Sequence, residues 1–320
     1  MKALENCRWV PRWVAHLGCI KGCLTYLGIE ISDAWLYGGT GHAFVLNLHD
    51  EVCPSGPTAW RTMKLFELGH NLGYEIEGFF GTKDQDDFAE LQRRAWEHAK
   101  VAIDQERPCY GWELEIPEFY VVYGYDDVGY YFSGPGCDEG KGPKPWQELG
   151  DTGIGVVELY SVSPGDAADD VTTIKQALVF ALEIAESPEA WISEHYKAGL
   201  QGYNNWIQAL EEGKASDMGM RYNTGVWLEC RQNASGFLDE AKARLPGRAD
   251  ALFDEAAAHY RVVAESLEKV AGVYPWEWKA SDEDVLPVDD RSRAAVASLQ
   301  AAKAAEASGL RALEKLLQAL

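Results

Sequence analysis

The chain has 320 residues, 47% apolar and 25% charged, the usage of a globular protein long enough for two domains. Its 51 acidic against 29 basic residues give a net charge of -22, a field that repels phosphate backbones and anionic bilayers, so nucleic acid and membrane partners are excluded. No apolar stretch is long enough to span a bilayer, the N-terminal MKALENCRWVPRWVAH lacks a signal-peptide pattern, and seven scattered cysteines suit reduced thiols; a cytoplasmic location is expected.

In chain order, residues 20–27 are expected to end a helix at Gly28, a left-handed stop. Ser32 and Asp33 then open a short helix, residues 43–48 read as an apolar strand after the glycine-rich GGTGH, and residues 58–72 as an amphipathic helix. A strand is expected at 74–80, a helix at 86–105, and strands at 110–115, 119–123, 129–132 and 153–162. Composition then shifts from Gly, Pro and aromatic residues to Ala, Leu and Glu across Ser163-Pro164-Gly165-Asp166. Helices are expected at about 166–186, 188–212, 217–244, 247–271 and 290–318, punctuated by Gly213, Pro246-Gly247 and the Pro275 to Pro287 segment. The fold class is therefore α+β: an antiparallel-sheet domain over 1–164, followed by an all-α helical domain over 165–320.

The thiol best placed by sequence is Cys19, expected in the first turn of the helix before Gly28, where unpaired N–H groups and the nearby Lys21 would lower its pKa. As a small hydrophobe, Cys19 would equally suit a packed core. The run EFYVVYGYDDVGYYFSGP, Glu118 to Pro135, reads as strand, tight turn and strand. Gly38, Gly39, Thr40 and Gly41 make a flexible approach to His42, which either faces a ligand or ends an ordinary turn. That segment lacks a dinucleotide fingerprint, and no cofactor is expected. His16, Cys19 and Cys23 share a helical face and, with Cys53 or His49, match zinc-ligand chemistry by residue type, although no CxxC or HExxH element accompanies them. Cys53 itself lies in the constrained Cys53-Pro54-Ser55-Gly56-Pro57 turn, where a structural role is favoured.

The order of a Cys, a helix ending in YLG and a later GYDD turn resembles the papain-like cysteine peptidase superfamily. The similarity is to bacteriocin-processing peptidases and to the N-terminal domain of the butirosin biosynthesis protein H family, and it spans roughly residues 15–135. The resemblance implies a bacterial protein that works through a cysteine thioester, cleaving an amide or transferring an acyl group from an acyl carrier protein to an amine. Two positions depart from the pattern: Glu118 stands where His is usual, and Ser133-Gly134-Pro135 closes the second strand in place of Asp-Pro.

Three functions remain open on the sequence. The first is thiol-dependent acyl transfer or amide hydrolysis on a small polar, amine-bearing substrate. Cys19 would be its nucleophile, Glu118 or His42 its base, the Gly18 and Cys19 N–H groups its oxyanion site, and Trp60, Tyr125 and Asp126 its pocket walls. The second is a catalytically inactive papain-like protein that binds a ligand or partner. The third is a zinc-dependent enzyme. The acidic field would draw a cationic small molecule, and aromatic helical faces beyond residue 165 would support a homodimer.

Overall fold

The computed structural model describes residues 1–277, 281 and 284–320; part of the Pro275 to Pro287 punctuation lies outside the described residues. In chain order the elements begin with β1 (Lys2–Ala3), α1 (Ala15–Tyr26), α2 (Asp33–Gly39), β2 (Asn47–His49), α3 (Lys64–His70) and β3 (Tyr74–Thr82). They continue with α4 (Phe88–Asp104), β4 (Cys109–Trp112), β5 (Phe119–Tyr125), β6 (Gly129–Gly134), β7 (Cys137–Pro145) and β8 (Val156–Pro164). The remainder are α5 (Asp170–Glu186), β9 (Tyr196–Ala198), α6 (Gly199–Glu212), α7 (Asp217–Arg244), α8 (Asp250–Val273) and α9 (Asp290–Ala319). The protein is α+β, as its sequence pattern indicates.

The chain divides into two compact units, and the division is not the one read from composition. Unit 1 takes Met1–Ile31 and Gly73–Ala167; unit 2 takes Ser32–Leu72 and Ala168–Leu320. The second crossing at 167/168 lies three residues beyond the expected 164/165. The insertion at 32–72 belongs with the helices because α2 buries Trp35, Leu36 and Tyr37, and a Cβ at Gly38 would collide with the Phe237 ring of α7. Helix contacts of that kind leave no trace in local composition.

Unit 1 is built on an antiparallel sheet in the order β3-β8-β4-β5-β6-β7, with β1 also paired to β5. Its central strands β4 and β5 are almost wholly buried, as expected of a sheet covered by α1 and α4. Helix α1 is buried from Ala15 to Ile20 and again at Gly22, Cys23 and Leu24, and it ends as expected, with Gly28 at φ +71°. Strands β1 and β7 carry too little apolar alternation to be read from sequence: β7 is CDEGKGPKP.

Unit 2 packs α8 against both α7 and α9, with Trp206, Trp227, Tyr203 and Tyr260 fully buried. The helix starts follow capping chemistry: Ser32, Asp169 and Ser216 side chains accept backbone N–H groups, and Asp289 and Ser292 form a reciprocal capping box. Three expectations fail here. Residues 43–48 supply only the short β2, the 58–72 helix shrinks to α3, and the 188–212 helix begins at Gly199 after β9, which pairs with β2. Pro57 and the 53–59 turn account for the second: Asn47 Nδ2 donates to Gly56 O and Ala59 O at 3.0 Å each, fixing the segment in a non-helical path.

Candidate functional site

In unit 1 the site begins at the start of α1, and the structure moves its centre by one helical turn. Helix α1 starts at Ala15, so the first turn carries His16 and Cys19 falls in the second. The Gly18 N–H, expected to serve an oxyanion, already donates to Val14 O at 3.0 Å, and Cys19 N–H lies inside the helical ladder. Cys19 is fully buried. Burial pushes its thiol well above its ordinary value, and the Glu118 carboxylate and Cys7 push it further. Lys21, expected to favour the thiolate, donates its ammonium to Ile31 O.

His16 is the residue that faces the strand end. Its ring stacks on Phe119, with centroids 3.9 Å apart at 22°, and its Nε2 lies 3.1 Å from the Tyr110 hydroxyl. Phe119 opens β5 directly after Glu118, so an imidazole on the helix and a carboxylate ahead of the strand bracket this end of the sheet. Spacing could have signalled this: counting back from the Gly28 stop, a helix of normal length starts near residue 15.

Glu118 is half-buried and its backbone is fixed. The Glu113 N–H donates to Glu118 O at 2.8 Å, and the Glu118 N–H donates to Ile116 O at 2.6 Å. Glu113 sits at φ +57°, a left-handed conformation uncommon for a residue with a Cβ, and its buried carboxylate accepts from Thr152 Oγ1 at 2.7 Å. On β6, buried Ser133 accepts the Trp9 N–H at 2.8 Å.

That last bond belongs to an N-terminal strap. Val10 N–H donates to Gly18 O at 3.2 Å, a Cβ at Gly18 would collide with Trp9 and Val10, and a Cβ at Gly22 would collide with the Arg8 carbonyl. The two glycines one turn apart on α1 therefore admit the backbone of residues 8–10, and Arg8 lies over the Tyr123 ring at 3.9 Å. The strap thus ties the Gly18 and Gly22 face of α1 to Ser133 on β6.

Tyr125 and Asp126 do not join Glu118. They lie at the far end of β5, about 20 Å along the strand from Phe119 at a rise of ~3.3 Å per residue. Asp126 builds the turn instead: Oδ1 accepts Val128 N–H at 2.8 Å and Gly129 N–H at 3.2 Å, and Oδ2 accepts the Tyr131 hydroxyl at 2.8 Å. These bonds hold its carboxyl below the usual range. The Tyr125 hydroxyl donates to Asp104 Oδ1 at 2.8 Å.

His42 and Trp60 belong to unit 2, whereas Cys19 and Glu118 belong to unit 1. The glycines before His42 are not a flexible loop: Gly38 and Gly39 lie inside α2, and only Gly41, at φ +74°, makes a turn. His42 is buried, with Nδ1 3.5 Å from Cys230 Sγ and its ring edge-on to Tyr37 and Trp60. Burial lowers its pKa to about 4; its own backbone hydrogen bond opposes the shift and Arg231 adds to it. Trp60 is a core residue, donating Nε1–H to Pro57 O at 2.9 Å and stacking on Phe180 at 5.9 Å.

Next to His42, fully buried Arg231 donates Nε–H to Glu306 Oε2 at 2.7 Å and Nη1–H groups to Ala43 O and Val45 O at 2.9 and 2.7 Å. Tyr203 donates to the same Glu306 oxygen at 3.2 Å. Sequence gives no local sign of this pair, because Arg231 and Glu306 lie 75 residues apart on different helices. A second unit 2 group lies in the 53–59 turn: Cys53 Sγ is 2.8 Å from Ser55 Oγ, which is 2.7 Å from the Tyr196 hydroxyl. Cys53 and Cys137 are half-buried, and the other five cysteines are buried.

Among the described residues, no group of three or more His, Cys, Asp and Glu side chains is arranged to hold a metal ion; His16, Cys19 and Cys23 are all buried on α1. No helix among them is long and apolar enough to cross a membrane. No protein-family model matches the chain, and no curated protein matches it.

Proposed function

We propose that the protein is a papain-like shell that binds a small polar, amine-bearing ligand without thiol turnover. One observation carries this reading: Cys19 is fully buried in the second turn of α1, where burial and the Glu118 charge both oppose the thiolate that acyl transfer needs. The helix N-terminus, where a nucleophile would gain from the dipole, is held by His16. Glu118, standing at the expected base position, is a carboxylate suited to an ammonium group, and the net charge of -22 would concentrate cations around the protein.

The competing reading is thiol-dependent acyl transfer from a carrier-protein thioester, or amide hydrolysis. It needs Cys19 to become accessible and ionised. Calorimetric titration with spermidine, together with intact-mass measurement after incubation with an acyl thioester, separates the two. Binding readings expect saturable heat that is weakened in Glu118→Gln and no acyl adduct on Cys19. An adduct on Cys19 would restore the transfer reading, and absence of heat would remove the cationic ligand.

A further inference from the structure

The sheet of unit 1 has two edges built in opposite ways. Strand β7 is blunted: Lys141, Pro143, Lys144 and Pro145 lie along it, and its pairing with β6 shifts register twice. Strand β3 carries none of these devices. It runs nine residues, TyrGluIleGluGlyPhePheGlyThr, with an unbroken register against β8.

The hydrogen bonds that flank β3 fix which backbone groups point outward. Gly165 N–H donates to Gly73 O at 2.9 Å and Lys83 N–H to Gly155 O at 2.8 Å, so the odd-numbered residues bond toward β8. The even-numbered residues direct N–H and C=O groups away from the sheet. Thr82 N–H is met by Gln85 Oε1 at 3.1 Å, which leaves Ile76, Gly78 and Phe80 as the open stretch. Phe80 is 60% exposed, and Glu77 and Gly78 are exposed beside it.

From this geometry we infer that β3 is an interface for a second copy of the chain, pairing antiparallel with its own counterpart about a two-fold axis at Gly78. In that register Gly78 exchanges both backbone bonds with Gly78 of the second copy, and Ile76 lies across from Phe80 on one face. On the other face Glu77 lies across from Phe79 and Glu75 from Gly81, so no two carboxylates oppose each other. Arg94 lies over the Phe79 ring at 4.7 Å from its centroid, which brings Glu77 of the second copy beside a guanidinium. A register moved by two residues toward the N-terminal end of β3 places Glu77 opposite Glu77 of the second copy, which charge disfavours, and one moved by two toward the C-terminal end sets Ile76 across from Thr82 instead of Phe80, so the pairing at Gly78 alone keeps the carboxylates apart and the two apolar side chains together.

Sedimentation equilibrium up to ~100 µM, the range for a contact of one strand pair, tests this. The expected result is reversible association from 35.5 kDa to twice that mass. Phe80→Lys, at an exposed position, should abolish association without lowering the melting temperature. The double variant Ile76→Cys with Phe80→Cys should form an oxidised covalent dimer whose peptide map joins position 76 to position 80, whereas each single variant should not. A monomer at ~100 µM, association untouched by Phe80→Lys, or a cross-link map joining other positions would overturn the proposal.

Discussion

Replacing Glu306 by Gln removes a charge from unit 2 while keeping the side chain's shape. The wild-type carboxylate accepts from Arg231 Nε at 2.7 Å and from Tyr203 at 3.2 Å, and both Arg231 and Glu306 are essentially without solvent contact, at 0% and 2% exposure. The guanidinium that remains cannot shed its proton, so Glu306→Gln strands a buried cation, a change that typically costs about 3–5 kcal/mol. With a urea slope of ~2 kcal/mol/M, the transition of unit 2 should move down by roughly 2 M. The cost reaches the His42 turn, because the same guanidinium holds Ala43 O and Val45 O. The double variant Arg231→Met with Glu306→Gln separates the effects. It removes the stranded charge but leaves those two carbonyls without their donor, at about 1–3 kcal/mol each, so it should not recover wild-type stability. Equilibrium urea unfolding followed by tryptophan fluorescence is the assay, since Trp206 and Trp227 are buried in the same unit. A loss below ~1 kcal/mol for Glu306→Gln would refute the argument that this pair is a closed, uncompensated-on-removal charge site.

Three further outcomes follow from the geometry. Gly22→Ala should cost about 1–3 kcal/mol, because the added methyl meets the Arg8 carbonyl and lifts the strap, and limited proteolysis should then cut earlier between residues 8 and 13. His42, with a folded pKa of about 4, favours folding in its neutral form. Its contribution is present above the unfolded value near 6.5 and is lost as pH falls from there toward 4, by on the order of 3 kcal/mol. The stability difference between wild type and His42→Asn should therefore shrink by that amount between pH 7 and pH 4; a pH-independent difference would contradict the buried neutral imidazole. Cys53 and Cys137, the half-buried thiols, should be the first alkylated in native protein, as peptide mass mapping can show.

The legible parts of this fold are those governed by local chemistry. Gly28 stops α1, Ser32 caps α2, the GYDD turn forms through Asp126, and α7 spans residues 217–244 as its periodicity indicates. What escaped reading depends on contacts distant in sequence. Residues 32–72 join the helical unit because Gly38 packs on Phe237, a contact across nearly 200 positions that composition cannot register. GGTGH reads as a flexible loop although its first two glycines serve close helix packing, because the two uses of glycine share one sequence signature. At the site, Glu118 lies directly ahead of β5, and Cys19, expected in the first turn of its helix, falls in the second because α1 begins at Ala15. That single turn decides whether a thiol or His16 meets the strand end. Tyr125 and Asp126, expected as pocket walls beside Glu118, are carried to the far end of β5 because an extended strand converts six residues into about 20 Å.

The rate at which iodoacetamide alkylates Cys19 near neutral pH, measured by quantitative peptide mapping against free cysteine, reports whether this thiol is closed off or poised to react. A thiol that reacts only when its segment opens is slowed by the opening equilibrium, about 10³-fold for an opening free energy of ~4 kcal/mol. Cys19 should react at least about that much more slowly than free cysteine, and mild denaturant should remove the protection. Alkylation of Cys19 in native protein faster than free cysteine would overturn a closed-off thiol and restore a nucleophilic one.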